Sequence, residues 1–211
     1  MATKIHLQIA SQAFIQSLKA VLGDNAATVG LAVVGGSAVV QMTRHRDTRD
    51  VDFYITGANR MHIRDAIVNT NPKGQLPVWT VNGEAVCGLT YTVRRQGHDP
   101  VNIRVDIIDQ EVTGWEMTSC KVLAHLASDD LPWGSRNDLI CTKLKSAYDR
   151  QSRGLLEARQ DVLDIEQLLI RKPGVLEQPQ QKEHVEKYLP HVLDLSSWTK
   201  AVWNARLDIN I

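Results

Sequence analysis

Charge of one sign is what this 211-residue chain lacks: 24 Lys and Arg stand against 24 Asp and Glu, with seven His. That balance excludes the broad basic surface of a general nucleic-acid or anionic-membrane binder and leaves only local patches. Cysteine is scarce and odd in number. Cys87, Cys120 and Cys141 include no close pair, which argues against a disulfide framework or a zinc site. No uninterrupted apolar stretch approaches the roughly 18 residues of a membrane span, so no membrane partner is expected. The first apolar positions (Ile5, Leu7, Ile9, Phe14, Ile15, Leu18) are spread among Gln, Ser and Lys rather than gathered into a leader, and a cytoplasmic location is expected. Internal repeats and low-complexity tracts are also missing. What is present is ordinary for a globular domain: 43% apolar and 23% charged residues.

The apolar spacing predicts a first helix over Ile5 to Leu22, stopped by Gly23, then a buried valine-rich strand over Val29 to Val34. Gly35–Gly36 interrupts it, and Ser37-Ala38-Val39-Val40 reads as a helix start. Asp50 to Ile55 alternates as a strand, and Arg60 to Val68 reads as a short helix closed before Asn71–Pro72. From Pro77 to Asp109 the chain turns β-like, with strands over Val78 to Val81, Leu89 to Arg95 and Val101 to Ile108. Asn82–Gly83 marks a tight turn, and Gln96 to Pro100 a hairpin loop. Helices are expected near Cys120 to Ala127, Asn137 to Arg150, Leu155 to Arg171, Gln181 to Leu189 and Ser197 to Leu207. Pro173–Gly174 and Pro190 separate the last of these. The fold class is therefore α+β: a mixed-sheet core flanked by helices over 1–115, and a helical region over 116–211 packed on it.

The chemistry concentrates in Val34-Gly35-Gly36-Ser37, the thirteen residues from Ser37 to Arg49, and Asp50-Val51-Asp52-Phe53. On a strand, Asp50 and Asp52 share one face while Val51, Phe53 and Ile55 turn to the core. Two carboxylates about 7 Å apart repel unless a cation lies between them or one is protonated. Oxygen-only ligands on a rigid face suit a hard cation, Mg²⁺ before Zn²⁺. Val101 to Ile107 repeats the pattern, with Asn102, Arg104 and Asp106 on one face; beside the first strand, Asp106 would complete a three-carboxylate cluster. Glycines after a strand let backbone N–H groups approach a phosphate, and a following helix adds its positive end. Arg44, Arg46 and Arg49 supply local positive charge. A phosphate cradle beside a carboxylate cluster is the equipment of phosphoryl or nucleotidyl transfer. A dinucleotide-binding alternative at Val33-Val34-Gly35-Gly36 fails, because Gly-x-Gly-x-x-Gly is absent.

Gly35-Gly36-Ser37, Asp50-Val51-Asp52 and Val105-Asp106-Ile107 resemble the three-part signature of the nucleotidyltransferase superfamily with a polymerase-β-like catalytic fold. Arg46-Asp47-Thr48-Arg49 is similar to the Arg-x-Thr-x leading into the paired aspartates of its minimal and abortive-infection-type branches. Lys143, Lys145, Arg150, Asp161, Asp164 and Leu168–Leu169 are similar to the helical segment of those branches. One departure stands out: Gln160 occupies the place where a lysine often precedes the first Asp of that pair. The likeness covers about Val29 to Ile170 and leaves the first helix and last forty residues unassigned. It implies two Mg²⁺ ions held by Asp50, Asp52 and Asp106, with Asp106 also able to take the acceptor's proton. A nucleoside triphosphate would be contacted by Gly35, Gly36, Ser37, Arg49 and Lys143. A hydroxyl acceptor (small molecule, protein or RNA end) would receive the nucleotide with release of pyrophosphate. Long nucleic acid is disfavoured by the even charge.

Blander readings stand beside these. The whole chain could be a nucleotide- or partner-binding module without turnover, such as one half of a toxin–antitoxin pair. Ser37 could simply cap a helix. Asp161 and Asp164 are expected to be structural, pairing with Arg150, Arg153 or Arg159, and His45 to be an exposed loop residue. Trp198 and Trp203 are expected to fill a core or interface, and the cysteines to be plain thiols.

Overall fold

The computed structural model describes residues 3–71, 78–82, 87–127, 129–171 and 176–211. Gly83 of the expected turn, Pro72 and Pro173–Gly174 lie outside them.

Helix α1 (Lys4–Leu22) buries Ala10, Ser11, Phe14, Ile15 and Leu18, the stripe that three- and four-residue spacing places on one side. It ends where Gly23 takes φ 52° and returns its N–H to the Lys19 carbonyl. Strands β1 (Gly30–Val34), β2 (Asp50–Thr56), β3 (Trp79–Val81), β4 (Gly88–Val93), β5 (Val101–Ile108) and β6 (Lys121–Val122) form one mixed sheet in the order β3-β4-β5-β2-β1-β6. Only β2 and β5 pair in parallel. Helix α2 (Gly35–Thr43) follows β1 without a loop, and α3 (Arg60–Asn69) begins the crossover from β2. The core-facing residues of β2 meet α1: the Phe14 and Phe53 rings stack with centroids 4.5 Å apart. Trp79 closes the end of that layer against Phe14 and Tyr91.

The segment Cys120 to Ala127, expected as a helix, is instead β6 followed by a tight helical turn at Leu123–His125. Its backbone is drawn to the open edge of β1, where Gly30 and Leu31 pair with Val122 and Lys121. An unpaired edge is a standing demand for hydrogen-bond partners, and here it overrides the local helical pattern.

After the short α4 (Gln110–Thr113) come α5 (Arg136–Ser152), α6 (Glu157–Arg171), α7 (Pro179–Tyr188) and α8 (Lys200–Leu207). Asp138, fully buried at the start of α5, accepts from Trp115 Nε1, the Thr118 and Ser119 amides and Ser135 Oγ, so it ties the exit of the sheet to the helices. Glu166, also buried, accepts from Ser196 and Ser197 and anchors the last segment. Trp203 is buried in the core, with the half-buried Trp198 packed beside it, rings 5.0 Å apart. The three cysteines are free thiols; Cys87 and Cys141 are buried. One continuous apolar cluster runs from α1 through the sheet to Leu207 and Ile209. Among the described residues no helix is long and apolar enough to cross a membrane.

Candidate functional site

The parallel register of β2 and β5 decides the geometry. Asp52 lies opposite Asp106 and Asp50 opposite Arg104. Neighbouring backbones in a sheet are about 4.8 Å apart and opposed residues share a face, so the three carboxylates form one row. On the far side of β5, Gly88 of β4 opposes Asp106. A Cβ on Gly88 would stand 2.8 Å from Asp106 Oδ1, so the glycine leaves that carboxylate its room.

The glycine turn backs onto the row. Gly35 adopts φ 64°, and a Cβ there would collide with the Asp52 carboxylate. A Cβ on Gly36 would stand 2.7 Å from an Arg46 Nη and 3.2 Å from Thr48 Oγ1. Gly35 therefore needs to be glycine, for its backbone angle and for the carboxylate, whereas a side chain at Gly36 would have to displace the Arg46 guanidinium. Gly35→Ala should cost about 1–2 kcal/mol through the left-handed backbone alone and displace Asp52 as well. Thermal melting checks the first effect and divalent-ion binding the second; an unchanged melting temperature would sink the backbone argument, and unchanged ion binding the close-approach argument.

Electrostatically the row is overcharged. Burial, with Asp50 and Asp106 adding to it, pushes the Asp52 carboxyl up to about 7. Burial raises Asp106 as well, opposed by Arg104, whose Nε and Nη2 each donate to one of its oxygens at 2.9 Å. Asp50 accepts from Thr48 Oγ1 at 2.8 Å.

A second charged group joins the helical half to the loop before β2. Asp164, fully buried on α6, accepts from Arg46 Nε (2.9 Å) and Nη2 (2.8 Å), Lys143 Nζ (2.9 Å) and Gln160 Nε2 (3.0 Å), with His45 Nε2 at 3.0 Å. Lys143 also donates to Asp161 at 2.7 Å, which Arg150 and Ser146 share. Asp161 and Asp164 are thus structural, as expected, and Arg150 is a partner; Arg153 instead donates to the Asp149 carbonyl and Arg159 is exposed. His45 corrects its reading: the buried carboxylate of Asp164 and Thr43 Oγ1 (2.7 Å) hold the ring, and its side chain is 11% exposed.

The expected phosphate contacts divide. Gly35, Gly36 and Ser37 sit at the start of α2, whose first amides lack helical partners. Ser37 is buried, and its hydroxyl donates to the Val34 carbonyl at 3.2 Å; it accepts from no amide of the first turn, so it is not a capping residue. Arg49 is exposed beside Asp50. Lys143 has its ammonium held between Asp161 and Asp164, close enough to Asp52 to draw that carboxyl's pKa down against the burial.

A cavity of about 910 Å³ adjoins this loop, lined by Lys4, Ser37, Arg44, Arg46, Thr48 and Trp133 among others. Val51, which points away from the aspartates, also lines it, so the cavity lies beside the carboxylate row and not over it. The cavity reaches the site only through the Ser37 and Arg46–Thr48 side of its lining.

As the side chains stand, no three metal-binding groups among the described residues surround one point. Both Asp106 oxygens face Arg104. The donor set nevertheless fits a hard divalent ion. Its ligands are all oxygen, and burial with the neighbouring carboxylates disfavours the Asp52 anion, which a divalent ion would relieve.

No protein-family model matches the chain, and no curated protein matches it significantly. Among solved structures, an antigenic nucleotidyltransferase-like protein from Paracoccidioides brasiliensis is similar, with TM-score 0.63 over 97% of this chain and 95% of that one. At 16% identity the likeness is one of fold. The chain is an α+β protein of nucleotidyltransferase-like fold.

The sequence gives no role to two contributors. Arg104 carries a readable signal, since it precedes Asp106 by two on the same strand face. The junction of Arg46 with Asp164 carries none, because 118 residues separate them.

Proposed function

We propose that the protein is a divalent-metal-dependent nucleotidyltransferase of the minimal or abortive-infection type. It would move a nucleoside monophosphate from a nucleoside triphosphate to a hydroxyl acceptor. The observation that carries this reading is the in-register row of Asp52 and Asp106 with Gly35 packed against it. The fold likeness and the Arg46-x-Thr48 lead-in support it.

Asp50, Asp52 and Asp106 would hold the metal, Mg²⁺ by preference; when bound it would offset the triphosphate charge and make the acceptor hydroxyl more acidic. The N–H groups of Gly36 and Ser37 would steady the β- and γ-phosphates, with Arg49 at the open side. Arg46, fixed by Asp164, keeps the turn over Gly36 in place, and Thr48 orients Asp50. The acceptor oxygen forms a bond to the α-phosphorus, the bond from that phosphorus to the bridging oxygen breaks, and pyrophosphate leaves. An Asp106 oxygen, once released by Arg104, would take the acceptor's proton.

Incubation of the protein with Mg²⁺, cell extract and each nucleoside triphosphate labelled at the α-phosphate tests the reading. Label should pass to RNA ends, protein or a metabolite, each identifying the acceptor class. Transfer of γ-label alone, or no transfer, overturns it. The contact of Arg104 with both Asp106 oxygens favours one second reading, a nucleotide-holding module without turnover; triphosphate binding unaffected by Mg²⁺, with no label transferred, would select it.

A further inference from the structure

We propose that Arg104 is a tethered counter-cation that competes with the divalent metal for Asp106, so that full metal binding requires the guanidinium to let go. The inference rests on the nucleotidyltransferase reading of the carboxylate row.

Three observations carry it. Arg104 takes both Asp106 oxygens at 2.9 Å in a fork geometry that matches a carboxylate, leaving no oxygen turned towards Asp52 without a competitor. Its register partner across β2 is Asp50, so one cation sits at the corner of all three aspartates. The two partners also differ in exposure: the Asp106 side chain is 10% exposed and that of Arg104 is 46% exposed. A half-exposed arginine can swing into water at little cost, whereas the carboxylate is nearly buried on its strand. An exposed ion pair between neighbours on one strand would stabilise the fold only slightly. Here its larger consequence is local, because it offsets charge in a row that otherwise contains three carboxylates. The guanidinium thus acts through Asp106, as a positioning residue: it keeps the empty row from repelling itself and sets the threshold at which a divalent ion takes over.

Mn²⁺ as the probe, titrated into the full chain without nucleotide and followed by electron paramagnetic resonance of the free ion, tests this directly. Arg104→Gln, which cannot neutralise Asp106, should bind Mn²⁺ about ten-fold more tightly than the wild-type protein, the scale of one charge-assisted contact. Arg104→Lys keeps the charge but loses the fork and should fall between. In thermal melts at pH 8, Arg104→Gln should be the less stable protein without metal and should recover more on adding Mn²⁺. Equal or weaker Mn²⁺ binding by Arg104→Gln overturns the proposal while leaving the transferase reading intact. Failure of both proteins to bind Mn²⁺ at millimolar concentration overturns both.

Discussion

Asp52→Asn should abolish nucleotidyl transfer and at the same time raise the melting temperature of the metal-free protein above neutral pH. The two effects share one cause. Asp52 stands between Asp50 on its own strand and Asp106 opposite, and in the folded chain its carboxyl is pushed up to about 7. A folded pKa above the unfolded value means that folding favours the protonated form. The protein therefore has its full stability from this residue below about pH 4 and loses it as pH rises through 7. The amide cannot ionise, so the variant avoids that loss. The gain at pH 8 should be on the order of 1–2 kcal/mol, less than the whole shift implies because the carboxyl remains partly open to water and salt. At pH 4 the two proteins should melt together. Mg²⁺ should raise the melting temperature of the wild-type protein by mass action and leave Asp52→Asn nearly unmoved. Transfer at the wild-type rate, or a variant less stable than the parent at pH 8, would contradict the placement of Asp52 in a strained carboxylate row.

Asp164→Ala should have the opposite signature, a large loss of stability. Asp164 is fully buried and accepts from Arg46, Lys143 and Gln160, with His45 in contact. Hydrogen bonds from Arg46 and the charge and hydrogen bond of Lys143, overcoming the cost of burial, hold its carboxyl well below the usual carboxylate range. Removing one member of a buried charged group while leaving its partners typically costs about 3–5 kcal/mol. For a chain of this size that corresponds to a drop of roughly ten degrees in melting temperature. The pH dependence runs contrary to that of Asp52: a lowered folded pKa gives stability that is present above about pH 4 and lost as pH falls below it. The wild-type protein should lose that contribution in acid, and Asp164→Ala should have little left to lose there. Denaturant unfolding at pH 7 and pH 2 measures both; a cost under about 1 kcal/mol at pH 7 would mean the group is solvated after all. Because Arg46 passes over Gly36, the variant should also bind triphosphate more weakly, a link from the helical half to the glycine turn that no residue within either element reveals.

Much of the fold could be read in advance, and the reason is periodicity. The strand Val101–Ile108 and the helix ends at Leu22 and Arg171 follow from apolar spacing and from Gly23, signals that are local to each element. Cys120 to Ala127 could not be read that way. Its residues tolerate a helix, but the free edge of β1 demanded partners, and a demand made by a distant strand leaves no trace in local spacing. The site divides along the same line. Asp50 and Asp52 share a face because strand side chains alternate, and Gly35–Gly36 after Val34 already implies a close approach. His45 lies in a loop as expected, but its burial could not be read because Asp164, its partner, is 119 positions away.

Residue type and spacing alone thus settled the α+β character, the placement of carboxylates on single strand faces, and the glycine turn between a strand and a helix. Those features arise from the backbone geometry of a few consecutive residues. Folding in three dimensions settled the rest: that Asp106 faces Asp52 and not a neighbour one position along, that Arg104 grips Asp106, and that Arg46 and Lys143 turn to buried carboxylates. Strand register and long-range charge pairing depend on which elements meet, and a carboxylate withdrawn from water takes whichever cation packing brings within reach.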